Sequence, residues 1–263
     1  MVALITAVTA ATTEVHIVRY AVDNVTVINE TTVTYQWMEA NLPVMGDGTT
    51  HYYHQGPVFV DDADTDREEQ LRWNAAEDSN VQEKDMGAVK GTDLKDLCNL
   101  VGGMSPGDTV KIKAADGFTR IFAYENVYMS SARQGPMVIT WYHDVDGYVP
   151  GYRTAMRLVF FADNSTNPWG IHAFGNNDWR QSAAREYWYY YRQGDEKYPT
   201  TTGLSVQYVS DILVYSGSTT AADPARTAAT APGAAPTQTG ISPFTIICSL
   251  VSCGFLAIML KRG

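Results

Sequence analysis

Short runs in which apolar and polar residues alternate dominate the first 216 positions of this 263-residue chain. An alternation of period two marks a half-buried strand. The clearest case is residues 108–114, where Val110, Ile112 and Ala114 alternate with Lys111 and Lys113. Asp116-Gly117 then supplies a turn, and residues 118–124 return as the second arm of a hairpin. Residues 15–18, 25–28, 137–142, 157–162 and 204–215 read as further strands, with a turn at 144–147. Residues 31–37 (TTVTYQW) hold the β-branched and aromatic residues that strands favour and are expected to form one. The polar stretch 61–85 predicts a long surface excursion. Helical spacing is clear once, over residues 93–101. There Leu94, Leu97, Cys98 and Val101 fall at i, i+3, i+4 and i+7, Thr92 is placed to cap, and Gly102-Gly103 stop the helix. Cys98 then lies on the buried stripe, as a small hydrophobe rather than a reactive thiol. The expected fold class is a β-rich α+β domain with one clear helix.

The pattern changes towards the C-terminus. Residues 244–260 (FTIICSLVSCGFLAIML) carry no charge, and at about 1.5 Å per residue they cover about 25 Å. Ile241 to Pro243 extend the run towards the hydrocarbon layer of roughly 30 Å. Lys261-Arg262 follow, and basic residues prefer the cytoplasmic side. Residues 241–260 are therefore read as a transmembrane helix, 261–263 as a cytoplasmic tail, and the rest as lying outside the cell. In residues 217–240, 21 of 24 positions are Ala, Thr, Pro, Gly or Ser, too few large apolar groups to offset ordering entropy, which predicts a stalk. Residues 1–11 read as the end of a signal peptide whose beginning is missing; the competing reading is a first strand. Residues 12–216 remain as the extracellular domain of a single-pass cell-membrane protein.

Composition narrows the partners. With 29 acidic against 19 basic residues and a net charge of −10, the chain lacks the cationic surplus that phosphate backbones demand, so nucleic acid is excluded as a partner. Cys248 and Cys253 fall in the apolar tail and leave Cys98 alone in the domain, which rules out an intrachain disulfide there. Asn24, Asn29 and Asn164 open three N-glycosylation sequons, meaningful for an exported chain.

Two groups of residues are candidates for chemistry. His51-Tyr52-Tyr53-His54 places two imidazoles at i and i+3. On a strand they point to opposite faces; on a loop, which Gly46-Asp47-Gly48 favours, they converge on a metal with His143, His172 or Asp178. The bland reading is that they pack as amphipathic groups at the core edge. The second group is the aromatic run Tyr187, Trp188, Tyr189, Tyr190, with Trp169, in a chain where 11% of residues are aromatic. Such rings bind a sugar, an envelope polymer or a surface protein when exposed, or build core and rim when buried. The acidic run 61–66 lacks the glycine and closing glutamate of an EF-hand loop and reads as a solvated face. No catalytic residue is assigned, since no nucleophile elbow, zincin motif or dinucleotide fingerprint occurs.

The succession LKDLCNLVGG, VKIKAADGF, MVITWYHDVDG, MRLVFFAD and YVSDILVYS over residues 88–216 resembles the molybdopterin-binding domain of the sulfite oxidase family. The matching positions are Leu94, Asp96 and Leu97, then Asp116, Gly117 and Phe118, then Arg157 and Leu158, then Ile212 and Val214. The resemblance implies that family's fold. Its molybdenum is held by a Cys thiolate ahead of the helix, and no Cys precedes Cys98 here, so the resemblance argues against the cofactor. The domain also resembles uncharacterised cell-surface proteins of methanogenic archaea, through YQWME at 35–39, HYYHQGP at 51–57 and NPWGIHAFG at 167–175. The tail is similar to archaeal sorting tails, with Ser242-Pro243-Phe244 where Pro-Gly-Phe is expected.

The expected function is that of a membrane-anchored, exported, glycosylated archaeal surface protein with a non-catalytic binding or structural domain and no cofactor. The alternative is an extracellular oxidoreductase dependent on a metal ion or molybdopterin, with His51, His54, His143 and His172 as ligands. The two differ in whether at least three imidazoles meet at one point.

Overall fold

Alternation along residues 14–20 (EVHIVRY) buries Val15 and Ile17 completely, and that strand organises the first of two large sheets. A computed structural model describes residues 12–73, 81, 84–167 and 169–217. The expected signal peptide, the stalk beyond Gly217, the transmembrane helix and the cytoplasmic tail lie outside the described residues. Among the described residues no helix is long and apolar enough to cross a membrane.

In chain order the elements are β1 (Glu14–Tyr20), β2 (Val27–Thr34), α1 (Tyr35–Asn41), β3 (Val44–Met45), β4 (His51–His54), α2 (Thr65–Trp73), β5 (Asp85–Asp93) and α3 (Leu94–Asn99). Then come β6 (Thr109–Ala114), β7 (Thr119–Ala123), α4 (Tyr124–Tyr128), β8 (Met137–His143), β9 (Gly147–Tyr148), β10 (Arg157–Phe160) and β11 (His172–Phe174). The last are α5 (Asn176–Ser182), β12 (Tyr190–Gln193), β13 (Glu196–Pro199) and β14 (Val209–Tyr215). The domain is α+β and rich in strands, as expected.

The first sheet has the order β2-β1-β14-β6-β7. Its middle pair, β1 with β14, is parallel, so the first and last strands of the domain lie side by side. The β6–β7 hairpin forms where the sequence placed it, with Val110, Ile112 and Ala114 buried and Lys111 and Lys113 half-exposed. The second sheet has the order β10-β8-β5-β4-β11, with β3 also on β5 and β9 on β8. β12 and β13 form a separate two-stranded ribbon.

Four expectations need correction. Residues 31–37 are not one strand: β2 stops at Thr34, whose hydroxyl accepts from the Trp37 N–H at 3.2 Å and starts α1. Met38 is the only buried residue of α1, so the helix carries no apolar stripe for periodicity to reveal. Residues 61–85 are not a bare excursion, because α2 forms within them and buries only Arg72 and Trp73, at its end. The cap of α3 is Asp93, which accepts from the Lys95 N–H at 2.9 Å, and not Thr92, whose hydroxyl instead accepts from Trp141 Nε1. There are five α-helices among the described residues rather than one. Gly102 and Gly103 do end the α3 turn, at φ of +100° and +74° that favour glycine.

The two large sheets meet through aromatic rings. Phe160 of β10 lies 4.4 Å from Phe174 of β11, 5.9 Å from Phe122 of β7 and 5.9 Å from Trp179 of α5, centroid to centroid. All four are buried. Beside them sits a polar network in which Asn176 N–H donates to Gln55 Oε1, Asn176 Nδ2 to the carbonyls of Gly56 and Pro199, and Thr201 N–H to Asn176 Oδ1. These bonds tie the end of β4 to α5 and β13, and buried polar groups so paired fix register without leaving orphans. Phe160→Ala is expected to cost about 3–5 kcal/mol in urea unfolding, with an ordinary surface exchange such as Arg192→Lys staying within about 0.5 kcal/mol.

Candidate functional site

The candidate imidazoles are distributed by strand parity. HYYH forms β4, paired with β5 on one side and with β11 on the other, so its residues alternate between faces. His51 is half-exposed, whereas His54 is fully buried between Phe160 and Phe174. The loop geometry that would have let His51 and His54 converge is therefore not adopted. His54 Nε2 accepts from the Phe160 N–H at 3.1 Å. Burial first, and the positive charge of Arg157 second, push its pKa down to about 3, so it is a neutral core residue. His172 sits elsewhere, its Nδ1–H donating to the Ala162 carbonyl at 2.7 Å. It lines a hollow of about 540 Å³ together with Tyr52, Asp163 and the sequon residue Asn164. Tyr52 stacks on Phe161 there, at 3.8 Å between ring centroids.

His51 and His143 do share a neighbourhood, at the end of the second sheet where β4 and β5 begin and β8 ends. Asp85 Oδ2 accepts from His51 Nδ1 at 2.7 Å, and Asp144 Oδ2 stands 3.9 Å from His51 Nε2. His143 Nδ1 lies 3.4 Å from Asp144 Oδ1 and 3.9 Å from Asp146 Oδ2. The same nitrogen accepts from the Val145 N–H at 3.2 Å, which requires it to be unprotonated. Asp146 is held by Arg153 Nε at 2.9 Å; desolvation, the largest single influence, raises its carboxyl, but the Arg153 backbone N–H, side chain and charge together outweigh it and hold the carboxyl below its ordinary value. Gly87 makes room for His143: with φ at +87°, a Cβ there would stand 2.2 Å from His143 Nε2.

This rim adjoins a cavity of about 310 Å³ whose lining includes Asp85, His143, Asp146, Arg153 and Arg157, at the small end of the range of ligand pockets. Among the described residues no three or more His, Cys, Asp and Glu side chains are arranged to hold a metal ion. Cys98, the only cysteine among the described residues, is fully buried on α3, and burial pushes its thiol well above the usual range. It does not suit a molybdenum-ligating thiolate, so the donor set here does not fit a molybdopterin centre.

The aromatic candidates are largely occupied by the protein itself. Tyr187, Trp188 and Tyr189 pack against the core. Trp188 meets Trp73 edge to face at 4.8 Å and donates from Nε1 to the Ala183 carbonyl. Tyr190 meets Trp73 at 5.7 Å, and the Arg120 guanidinium is held between Tyr189 at 3.8 Å and Phe118 at 4.0 Å. Trp169 is half-buried in a different loop and makes no ring contact with that run among the described residues. They do not form a single open platform. The residues that sequence reasoning missed are Asp85 and Asp144, and Arg157 enters it only as a position of the family resemblance; their meeting depends on strand register rather than on any local motif.

The chain matches no protein-family model and no curated protein sequence.

His54 makes a pH prediction. Its folded pKa lies below the unfolded value of 6.5, so the unfolded state takes the proton first and the stability from the neutral ring is lost as pH falls from about 6.5 towards about 3. His54→Gln keeps an acceptor for the Phe160 N–H and does not titrate. Urea unfolding between pH 7 and pH 4 should show a shallower loss of stability for this variant than for the wild type.

Proposed function

We propose that this protein is an exported, N-glycosylated surface protein, anchored in the cell membrane by residues 241–260, whose folded part is a non-catalytic binding or structural domain facing outward. The observation that carries the reading is the placement of the sequons. Asn24, Asn29 and Asn164 are all exposed, and two of them stand on β2 and the turn before it, at the open edge of the first sheet. On the same ridge Val22, Val25, Val27 and Ile28 are 53%, 77%, 46% and 58% exposed. A bare apolar edge strand invites pairing with another chain. Glycans on Asn24 and Asn29 cover that ridge and block the edge.

The separation of His54 and His172 from the His51–His143 rim supports a binding role over a convergent redox centre. We extend the proposal to the fold: residues 88–216 resemble the sulfite oxidase molybdopterin-binding domain in their order of α3, the β6–β7 hairpin, β8, β10 and β14, without its cofactor. An archaeal, methanogen-type origin belongs to the same proposal and rests on the sequence resemblance.

Fractionation of native cells tests it. The protein is expected in the membrane fraction, released by detergent and not by salt, and cut by protease added to intact cells. Asn24→Gln, Asn29→Gln and Asn164→Gln should each raise its electrophoretic mobility. Recovery of the intact chain from the cytosol, insensitive to external protease, would falsify the reading.

A further inference from the structure

Arg157 opens β10 and is held side-on. Its Nε donates to Ser205 Oγ at 2.7 Å, and Ser205 donates in turn to the Leu158 carbonyl. The two terminal nitrogens of the guanidinium make no hydrogen bond, and no carboxylate lies within ion-pair distance of Arg157 among the described residues. Burial pulls its pKa down, and the Tyr152 hydroxyl is the only group that offsets this. An arginine desolvated without an anion is costly, because charges are kept inside proteins when they are paired.

Two more polar groups at the same cavity lack partners. Tyr152 is 2% exposed, and its hydroxyl makes no hydrogen bond; the buried Thr154 Oγ1 makes none either. Both residues line the cavity with Arg157. Each orphaned group costs stability unless a ligand completes it. One side of the space is apolar, made by Met86 and by the rings of Tyr152 and His143, whose centroids are 5.0 Å apart.

We propose that this cavity binds a small, flat organic monocarboxylate, its oxygens taking the free arms of Arg157 and the hydroxyls of Tyr152 and Thr154. The guanidinium fork matches a planar carboxylate with two parallel hydrogen bonds. Charge favours a monoanion over phosphate or sulfate. The lining holds Asp85 and Asp146 against Arg153 and Arg157, formally neutral, so a monoanion leaves −1 and a dianion −2, with Asp144 close behind. The proposal rests on the reading of the folded part as a binding domain and supplies its ligand class.

The test is titration calorimetry on the full-length chain in mild detergent, with benzoate, acetate, inorganic phosphate and sulfate as probes. Benzoate should bind saturably at one site, and phosphate and sulfate about tenfold more weakly or worse. Arg157→Lys should lose about tenfold or more in benzoate affinity, since an ammonium cannot fork. Tyr152→Phe should bind benzoate more weakly yet melt at a higher temperature without ligand, because it removes an unpaired buried hydroxyl. A purely structural Tyr152 would not show that opposition. Absence of saturable benzoate binding to folded protein overturns the proposal, as does phosphate or sulfate binding as tightly as benzoate. Wild-type affinity in both variants overturns it too. Protease shaving of intact cells is read separately, so failure here with the domain still outside removes the ligand and leaves the placement.

Discussion

The two large sheets share no strand; a pair of backbone bonds ties the start of β10 to the chain entering β14, Leu158 N–H to the Val206 carbonyl and Val209 N–H to the Met156 carbonyl, and the rings of Phe122, Phe160, Phe174 and Trp179 pack across the joint. Aromatic packing suits the task, because each ring buries a large area in a few rotamers and prefers edge or offset geometries that fix relative orientation. Strand parity then carries the constraint outward. The alternation that sends Phe160 into the joint sends Arg157, three positions earlier, to the opposite face of β10. The place of Arg157 in the lining of the small cavity thus follows from the packing of the core.

His54 shows how closely the two are coupled. Its ring lies in the aromatic joint, takes the Phe160 N–H, and feels Arg157 strongly enough for that charge to be the second cause of its lowered pKa. A hydrocarbon ring in its place would leave the Phe160 amide without an acceptor. The imidazole is therefore a neutral core group bonded through Nε2 alone, its buried Nδ1 having no partner among the described residues, and the polar chemistry of the described residues collects at the neighbouring sheet end, around His51, Asp85, His143, Asp144 and Asp146.

Much of the strand plan was legible in the chain because half-buried strands write their exposure directly as alternation, as Val110, Lys111, Ile112 and Lys113 do. The helices α1 and α2 left no such trace: one buries Met38 alone and the other buries only its last two residues. Thr92 and Asp93 are both competent caps, and the choice between them turned on a tertiary contact, the Trp141 indole that claims the Thr92 hydroxyl. The pair His51 and His54 was correctly divided by parity once the segment was known to be a strand, but Gly46 and Gly48 nearby suggested a loop. Tyr152 and Thr154 carry no motif at all, and Arg157 enters only as a position of the family resemblance, with no partner indicated. They come together because the loop between β9 and β10 folds back over the end of β5, which no local pattern encodes.

The parallel pairing of β1 with β14 has a mechanical meaning for any force applied through the chain that leaves β14. β14 is flanked by β1 and β6, so a tug on the chain leaving Tyr215 strains the ladders on both sides of a central strand. Fraying of that strand would also strip β1 of its inner neighbour. Force applied at that point is thus delivered to the middle of the sheet, where many bonds resist together, rather than to an edge that peels.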